Sequence, residues 1–84
     1  MAKNVTSPRS PRSPTEFDKK LGAKIRRYRK GKQISQEEMG AAIGVSFQQY
    51  TKNEAGTNRL CVERLLQICT ILEVPVAVMV HGLK

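Results

Sequence analysis

The residues best suited to reading a sequence of bases are two adjacent glutamines, Gln48 and Gln49, followed by Lys52. A glutamine amide both donates and accepts hydrogen bonds, so either glutamine can pair with the N6 and N7 atoms of adenine. On a helix, Lys52 would lie on the same face as the glutamines, because residues three and four apart are neighbours. Its ammonium group could then reach guanine acceptors or a phosphate. This group therefore predicts contact with DNA.

Other side chains flank this group. Phe47 could touch a thymine methyl group, or it could be a packed core aromatic. Asn58 and Arg59 follow the same stretch and are candidates for phosphate contacts, although a solvated loop would have a similar composition. Ser46 begins the stretch as a helix cap. We expect these four residues to support binding.

The charge of the chain also favours a polyanionic partner. Its 84 residues carry a formal net charge of +8. Residues 1–32 hold eleven lysines and arginines but only two acidic residues, whereas residues 33–84 hold four lysines and arginines and five acidic residues. This distribution favours nucleic acid or an anionic membrane surface, and a solubilising run of charge is the simpler alternative.

The first 14 residues differ in composition from the rest. Residues 7–14 repeat serine, proline and arginine, and the segment has too few apolar residues to offset the entropy of ordering it. We expect a disordered basic arm that either contacts phosphates or a minor groove or is simply solvated. Residues 15–84 then form the folded domain.

Capping and periodicity predict an all-α fold with five helices, at about 15–30, 35–43, 46–54, 62–73 and 76–81. Thr15 is of the type that caps a helix, and Ser35 with Glu38 forms a capping box. Gly31 provides a stop for helix 1. Gly44 allows the turn between helices 2 and 3, because glycine takes a positive φ at little cost.

Apolar spacing predicts an aliphatic core, since the chain has no tryptophan. Helix 5 is almost wholly apolar, so it is either covered by the core or buried against a second subunit. Helix 1 taken alone is basic and amphipathic, as in membrane-surface helices. The inward residues are expected to be Phe17, Leu21, Ile25 and Tyr28 of helix 1; Met39, Ala42 and Ile43 of helix 2; Val45 and Tyr50 of helix 3; and Val62, Leu65, Leu66, Cys69 and Leu72 of helix 4.

Several classes of site find no support. Cys61 and Cys69 would lie about 12 Å apart along one helix, beyond the reach of about 7 Å that a disulfide allows. We expect both to be small, reduced core residues in a cytoplasmic protein. The lone His81 completes no metal-ligand set, and neither a catalytic constellation nor a cofactor motif appears. No run reaches the roughly 18 apolar residues of a membrane span, and the first residues lack the apolar stretch that is typical of a signal peptide.

The order and spacing of five motifs resemble the lambda repressor/Cro-like helix-turn-helix family, also called the Xre family. These motifs are residues 25–29, 34–39, 43–46, 54–56 and 72–75. The resemblance covers about residues 21–79. It implies a compact five-helix domain that binds operator DNA, usually as a homodimer, with helix 3 in the major groove.

The resemblance also implies roles for single residues. An arginine like Arg29 and a glutamate like Glu54 form a structural ion pair, buried or half-buried, between helices 1 and 3, and a surface pair is the alternative. Gln36 matches a position that bonds a phosphate, and a helix-start glutamine in water is the alternative. The sequence departs from the family pattern at three positions. The family usually has alanine at the position of Gly40, often an apolar or aromatic residue at that of Asn53, and a capping serine or threonine at that of Cys61.

The sequence thus predicts a cytoplasmic transcriptional regulator of bacterial or phage type. We expect a repressor that binds an inverted-repeat operator as a homodimer through its C-terminal apolar helices. One alternative is a protein-interaction module on the same fold, such as an antitoxin-like partner, and another is a basic membrane-surface peptide. An enzyme is the least supported class.

Overall fold

The computed structural model describes residues 15–83, and its regular elements are five α-helices. They are α1 (Glu16–Gly31), α2 (Gln36–Ile43), α3 (Phe47–Ala55), α4 (Val62–Leu72) and α5 (Val76–Val80). The all-α, five-helix prediction is confirmed, and each boundary differs by at most one residue. The predicted arm at residues 1–14 lies outside the described residues. None of the helices in the described part is long and apolar enough to cross a membrane.

Side-chain caps explain where the first two helices begin. Thr15 accepts a hydrogen bond from the Asp18 amide, and the Asp18 carboxylate accepts one from the Thr15 amide at 2.8 Å. Ser35 and Glu38 form the same reciprocal box at the start of α2. A cap of this kind contributes about 1 kcal/mol. By contrast, Cys61 begins α4 without a side-chain cap. Cys61 is also exposed, so the prediction that both cysteines lie in the core holds only for Cys69.

The turns after α1 and α2 are built differently. The prediction that Gly31 stops α1 is wrong, because Gly31 is the last helical residue and Lys32 caps the helix with a φ of −91°. The positive φ of this turn, 61°, falls on Gln33. Gly44 does end α2 in the left-handed conformation, with a φ of 79°. The α2–α3 turn is therefore made as the sequence predicts.

The core lies between the five helices and corrects several predicted inward residues. Phe17, Val62 and Leu66 are 43%, 73% and 47% exposed, while Ile68, which was not predicted, is fully buried. The apolar residues of α4 span a wider arc of the helix surface than the rest of the domain covers. The apolar residues at the edge of that arc therefore remain in contact with solvent. In α2, Gly40 is turned toward α3, and Ala42 is exposed. The buried apolar residues are Leu21, Ile25, Met39, Ile43, Tyr50, Ile68, Cys69, Leu72, Met79 and Leu83.

Two glycines let α3 lie directly against α1. A Cβ on Gly22 would overlap the carbonyl oxygen of Glu54 and stand 2.8 Å from the carbonyl carbon. Gly56 ends α3 with a φ of 80°, and a Cβ there would stand 2.7 Å from the Cα of Lys19. The close crossing of these backbones sets the position of α3 in the domain.

Candidate nucleic-acid interface

One polar face of α3 is turned to solvent. Gln48 and Lys52 are exposed and lie one helical turn apart. Tyr50 and Glu54, on the opposite face, are 0% and 6% exposed. The face that carries Gln48 and Lys52 can therefore meet a ligand without disturbing the core.

The N-terminus of α3 presents two more of the predicted residues. Ser46 caps the helix by accepting a hydrogen bond from the Gln49 amide at 3.0 Å. Its hydroxyl is exposed, so the O–H can still donate outward. Phe47 is 45% exposed and stands outside the core. An apolar ring at this position can contact a thymine methyl group.

Gln49 is half-buried, and its side chain is tied inward. Its Nε2 donates to the Asn53 Oδ1 at 3.4 Å, and the Asn53 Nδ2 donates to the Asn58 carbonyl oxygen at 3.4 Å. Both bonds are long and correspondingly weak. They nevertheless give the buried amide of Asn53 a partner at each end, as a polar group needs when it leaves water. Of the two glutamines, Gln48 is the less restrained.

Arg29 and Glu54 form a buried ion pair with two contacts. Arg29 Nε lies 2.7 Å from Glu54 Oε2, Nη2 donates to Oε1 at 3.0 Å, and the side chains are 8% and 3% exposed. The Tyr50 hydroxyl donates to Glu54 Oε2 at 2.6 Å, and Arg29 Nη1 donates to the Ile34 carbonyl at 2.6 Å. These bonds join α1, α3 and the segment before α2, which holds α3 in a fixed orientation.

This network keeps the Glu54 carboxylate ionised inside the protein. Burial alone would raise its pKa, but hydrogen bonds from Arg29, Tyr50 and Gln36 outweigh burial and lower the pKa below its ordinary value. Burial and the bond to Glu54 raise the pKa of Tyr50, so its hydroxyl stays protonated and donates. Glu54 is therefore an acceptor only.

Gln36 joins the same network from the first position of α2. Its Nε2 donates to Glu54 Oε1 at 2.9 Å, and the residue is half-buried. One N–H and the carbonyl oxygen of its amide are left for other partners. A contact between Gln36 and a phosphate stays a prediction. In such a contact, the Gln36 side chain would already be held in position by its hydrogen bond to Glu54.

The loop after α3 is also attached to α1. Arg59 Nε lies 3.3 Å from Asp18 Oδ2, in a pair whose side chains are 47% and 8% exposed. Burial would raise the pKa of Asp18, but hydrogen bonds from Thr15 and the charge of Arg59 lower it. Asn58 is half-buried and gives its carbonyl to Asn53. Phosphate contacts by Asn58 and Arg59 therefore remain predictions.

The sequence of this chain is similar to those of transcriptional regulators. A family model described as helix-turn-helix matches residues 25–79. An uncharacterized HTH-type transcriptional regulator of Sinorhizobium medicae (strain WSM419) is 42% identical over 66 residues, which are 79% of this chain and 48% of that protein. An uncharacterized transcriptional regulator of Rhodospirillum rubrum is 41% identical over 59 residues, 70% of this chain and 55% of that one. The chain spans about half the length of the curated relatives it matches.

Solved structures agree with the fold. The clp gene regulator ClgR from Corynebacterium glutamicum has a TM-score of 0.72 and 28% identity over 80% of this chain and 70% of that one. The restriction-modification controller protein C.Esp1396I shares the fold at 22% identity and a TM-score of 0.71, covering 82% and 90% of the two chains. SinR protein, solved in complex with SinI protein, shares it at 24% identity and a TM-score of 0.68 over 74% and 61%. With this fold and a family match across residues 25–79, the chain belongs to the lambda repressor/Cro-like (Xre) family of helix-turn-helix, DNA-binding transcriptional regulators.

Proposed function

We propose that this chain binds duplex DNA sequence-specifically, in the cytoplasm, and represses transcription from the site it occupies. The observation that carries the proposal is the exposed face of α3, with Gln48 and Lys52 turned outward from a helix fixed by the buried Arg29–Glu54 pair. A helix about 10–12 Å in diameter fits a major groove about 12 Å wide. In this arrangement α3 enters the groove and α2 crosses the backbone.

The proposal divides the polar surface into two functions. Gln48 and Gln49 read base edges, with Phe47 against a thymine methyl group and Lys52 at a guanine or a phosphate. Contacts to phosphates set orientation and affinity without choosing a sequence. The residues proposed for them are Gln36, Ser46, Asn58 and Arg59.

Gln48→Ala tests the reading of bases. The variant should bind the preferred site about 1–3 kcal/mol more weakly and lose preference at one base pair, because it lacks the exposed Gln48 amide that pairs with a base edge. The site would be selected from a random duplex pool, and its single-base variants titrated at one salt concentration. Gln67→Ala removes an exposed glutamine from α4 and should change neither property. Equal losses for Gln48→Ala on every duplex would contradict base reading by Gln48.

Binding as a homodimer completes the proposal. Two copies of α3 about 34–36 Å apart would meet the two halves of an inverted repeat. The exposed apolar side chains that support pairing through the C-terminal helices are Val62 and Leu66 of α4, at 73% and 47% exposure, and Val78 of α5, at 44%. Leu66 also borders a groove against Pro75 and Val76 at the start of α5. Met79 of α5 is fully buried in its own chain, so the apolar residue that α5 offers to a second copy is Val78 and not Met79.

Leu66→Glu tests this surface. Burying a leucine contributes about 1.5–3 kcal/mol, so placing a charge there should weaken dimerisation about tenfold or more. Sedimentation over a range of concentrations would measure the dimer, and titration of duplexes with one or two half-sites would measure its effect on binding. The control is Gln67→Glu, which introduces the same charge at the neighbouring residue, an exposed polar side chain in the parent protein. If both variants dimerise equally, Leu66 does not lie in the interface.

A second candidate is a module that binds another protein through the same α4 surface. The exposed Val62 and Leu66 favour it, because an apolar patch suits a foreign partner as well as a second copy. SinR, which has this fold, was solved with SinI protein. A chain that stays monomeric, shows no preference among duplexes and co-purifies with one partner would support this candidate over the first.

A further inference from the structure

We propose that Asn53 is a positioning residue for base recognition, because it restrains Gln49 so that this side chain favours adenine over guanine. The inference rests on the proposed reading of bases by Gln49. Asn53 itself is 4% exposed and cannot touch a base. It acts through its hydrogen bond to Gln49 and its bond to the loop that follows α3.

The orientation of the Asn53 amide is fixed by chemistry. The Asn58 carbonyl only accepts hydrogen bonds, so the end of Asn53 that faces it must be Nδ2. The other end, Oδ1, then faces Gln49 and can only accept. Consequently Gln49 must turn its Nε2 toward Asn53 and commit one of its two N–H groups there.

This commitment limits what Gln49 can offer to a base. The side chain keeps one N–H and its carbonyl oxygen, a donor and an acceptor that match N7 and N6 of adenine. Guanine presents two acceptors, O6 and N7, in the same groove. A glutamine needs both N–H groups to satisfy them, and Asn53 already holds one. Gln48, which is exposed, has no such restriction from Asn53.

The position of Asn53 explains why this restraint is stable. Asn53 lies where α3 crosses α1, since its carbonyl oxygen would stand 3.4 Å from a Cβ on Gly22. A buried amide at such a contact needs partners, and Gln49 and Asn58 are the ones it meets. Because both hydrogen bonds are 3.4 Å long and therefore weak, they favour one orientation of the Gln49 side chain without fixing it. We therefore expect a several-fold effect on base preference.

Two substitutions of Asn53 separate positioning from stability. Asn53→Leu removes both hydrogen bonds but fills the space with an apolar residue suited to burial. Asn53→Asp keeps an oxygen that accepts from Gln49 but places a costly carboxyl group in a buried site. The base pair read by Gln49 is first identified as the one at which Gln49→Ala loses preference. Duplexes with adenine or guanine there are then titrated with each protein.

The parent chain should prefer adenine by about tenfold, as expected for one two-point contact. Asn53→Leu should reduce this ratio to about threefold or less, and Asn53→Asp should keep it even though the protein is less stable. A ratio that is unchanged in Asn53→Leu, or that falls equally in both variants, would overturn the proposal. In the first case Asn53 plays no part, and in the second it is only structural.

A measurement without DNA separates this inference from the proposed function. Nitrogen-15 relaxation of the side-chain amides should show Gln49 more restrained than Gln48 in the parent chain, with the difference lost in Asn53→Leu. Equal mobility of the two glutamines in the parent chain would refute the restraint, whatever the DNA result. A restrained Gln49 in a chain that shows no preference among duplexes would instead refute base reading, and with it the role of Asn53 in recognition.

Discussion

Replacing Gly22 with alanine should destabilise the domain by about 3 kcal/mol, near the upper end for overpacking. The added Cβ would overlap the carbonyl oxygen of Glu54 and stand 2.8 Å from its carbon. Both are backbone atoms, so no change of rotamer relieves the clash, and α1 must move away from α3. Urea denaturation followed by circular dichroism would measure the loss. At roughly 0.05–0.15 kcal/mol per residue the parent domain has about 4–13 kcal/mol of stability, so the variant should remain mostly folded in water but unfold at a clearly lower urea concentration.

Gly31→Ala is the matched control, because it adds the same methyl group to the same helix. A Cβ on Gly31 would meet nothing within 4 Å. Alanine is the better helix former by about 0.8–1.0 kcal/mol in a helix interior, so a smaller gain is expected at this terminal position. If both variants lost stability equally, or neither did, the close crossing of α1 and α3 would be wrong.

The sequence predicts the helices well because the features that begin and end them are local. The capping boxes at Thr15 and Ser35 and the left-handed Gly44 depend only on residues within one turn. The inward face of α4 is less predictable, since its apolar stripe is wider than the arc that is covered. Leu66 and Ile68 are both apolar, and only the position of neighbouring helices leaves one exposed and the other buried.

In the candidate site, too, some features follow from the local sequence and others only from the tertiary structure. Helical periodicity is enough to place Gln48 and Lys52 on one face of α3. The partners of other side chains are set by tertiary structure, as for Gln36 with Glu54 and Arg59 with Asp18. These partners are 18 and 41 residues apart in the chain, and no local pattern marks them. The one local indication of the contact with Gln49 is that Asn53 is polar, whereas the resemblance to the family implies an apolar or aromatic residue at this position.

Arg29→Met should cost about 3–5 kcal/mol of stability at neutral pH, because it leaves the Glu54 carboxylate buried without its cation. The variant also loses the hydrogen bond from Arg29 to the Ile34 carbonyl. Denaturant titrations of parent and variant at a series of pH values would measure the difference. Lys32→Met is the control, because the Lys32–Glu73 pair is almost as short, at 2.8 Å, but its side chains are 38% and 76% exposed. Removing an exposed pair should cost about 0–1 kcal/mol.

The pH dependence identifies the cause of that loss. In the parent protein the folded-state pKa of Glu54 lies below its ordinary value of 4.5. Its contribution to stability is therefore complete above that value and is lost as the pH falls through the folded pKa. Without Arg29, burial is no longer offset by the cation and should raise the pKa of Glu54, so the variant's penalty shrinks as this carboxylate is protonated. The stability gap between parent and Arg29→Met should thus narrow between about pH 7 and about pH 4.

Asp18, whose pKa is also lowered, is present in both proteins, so its titration cancels in the difference. A gap that stays constant over this range would show that Arg29 stabilises the fold by packing and its bond to Ile34, and not by neutralising Glu54.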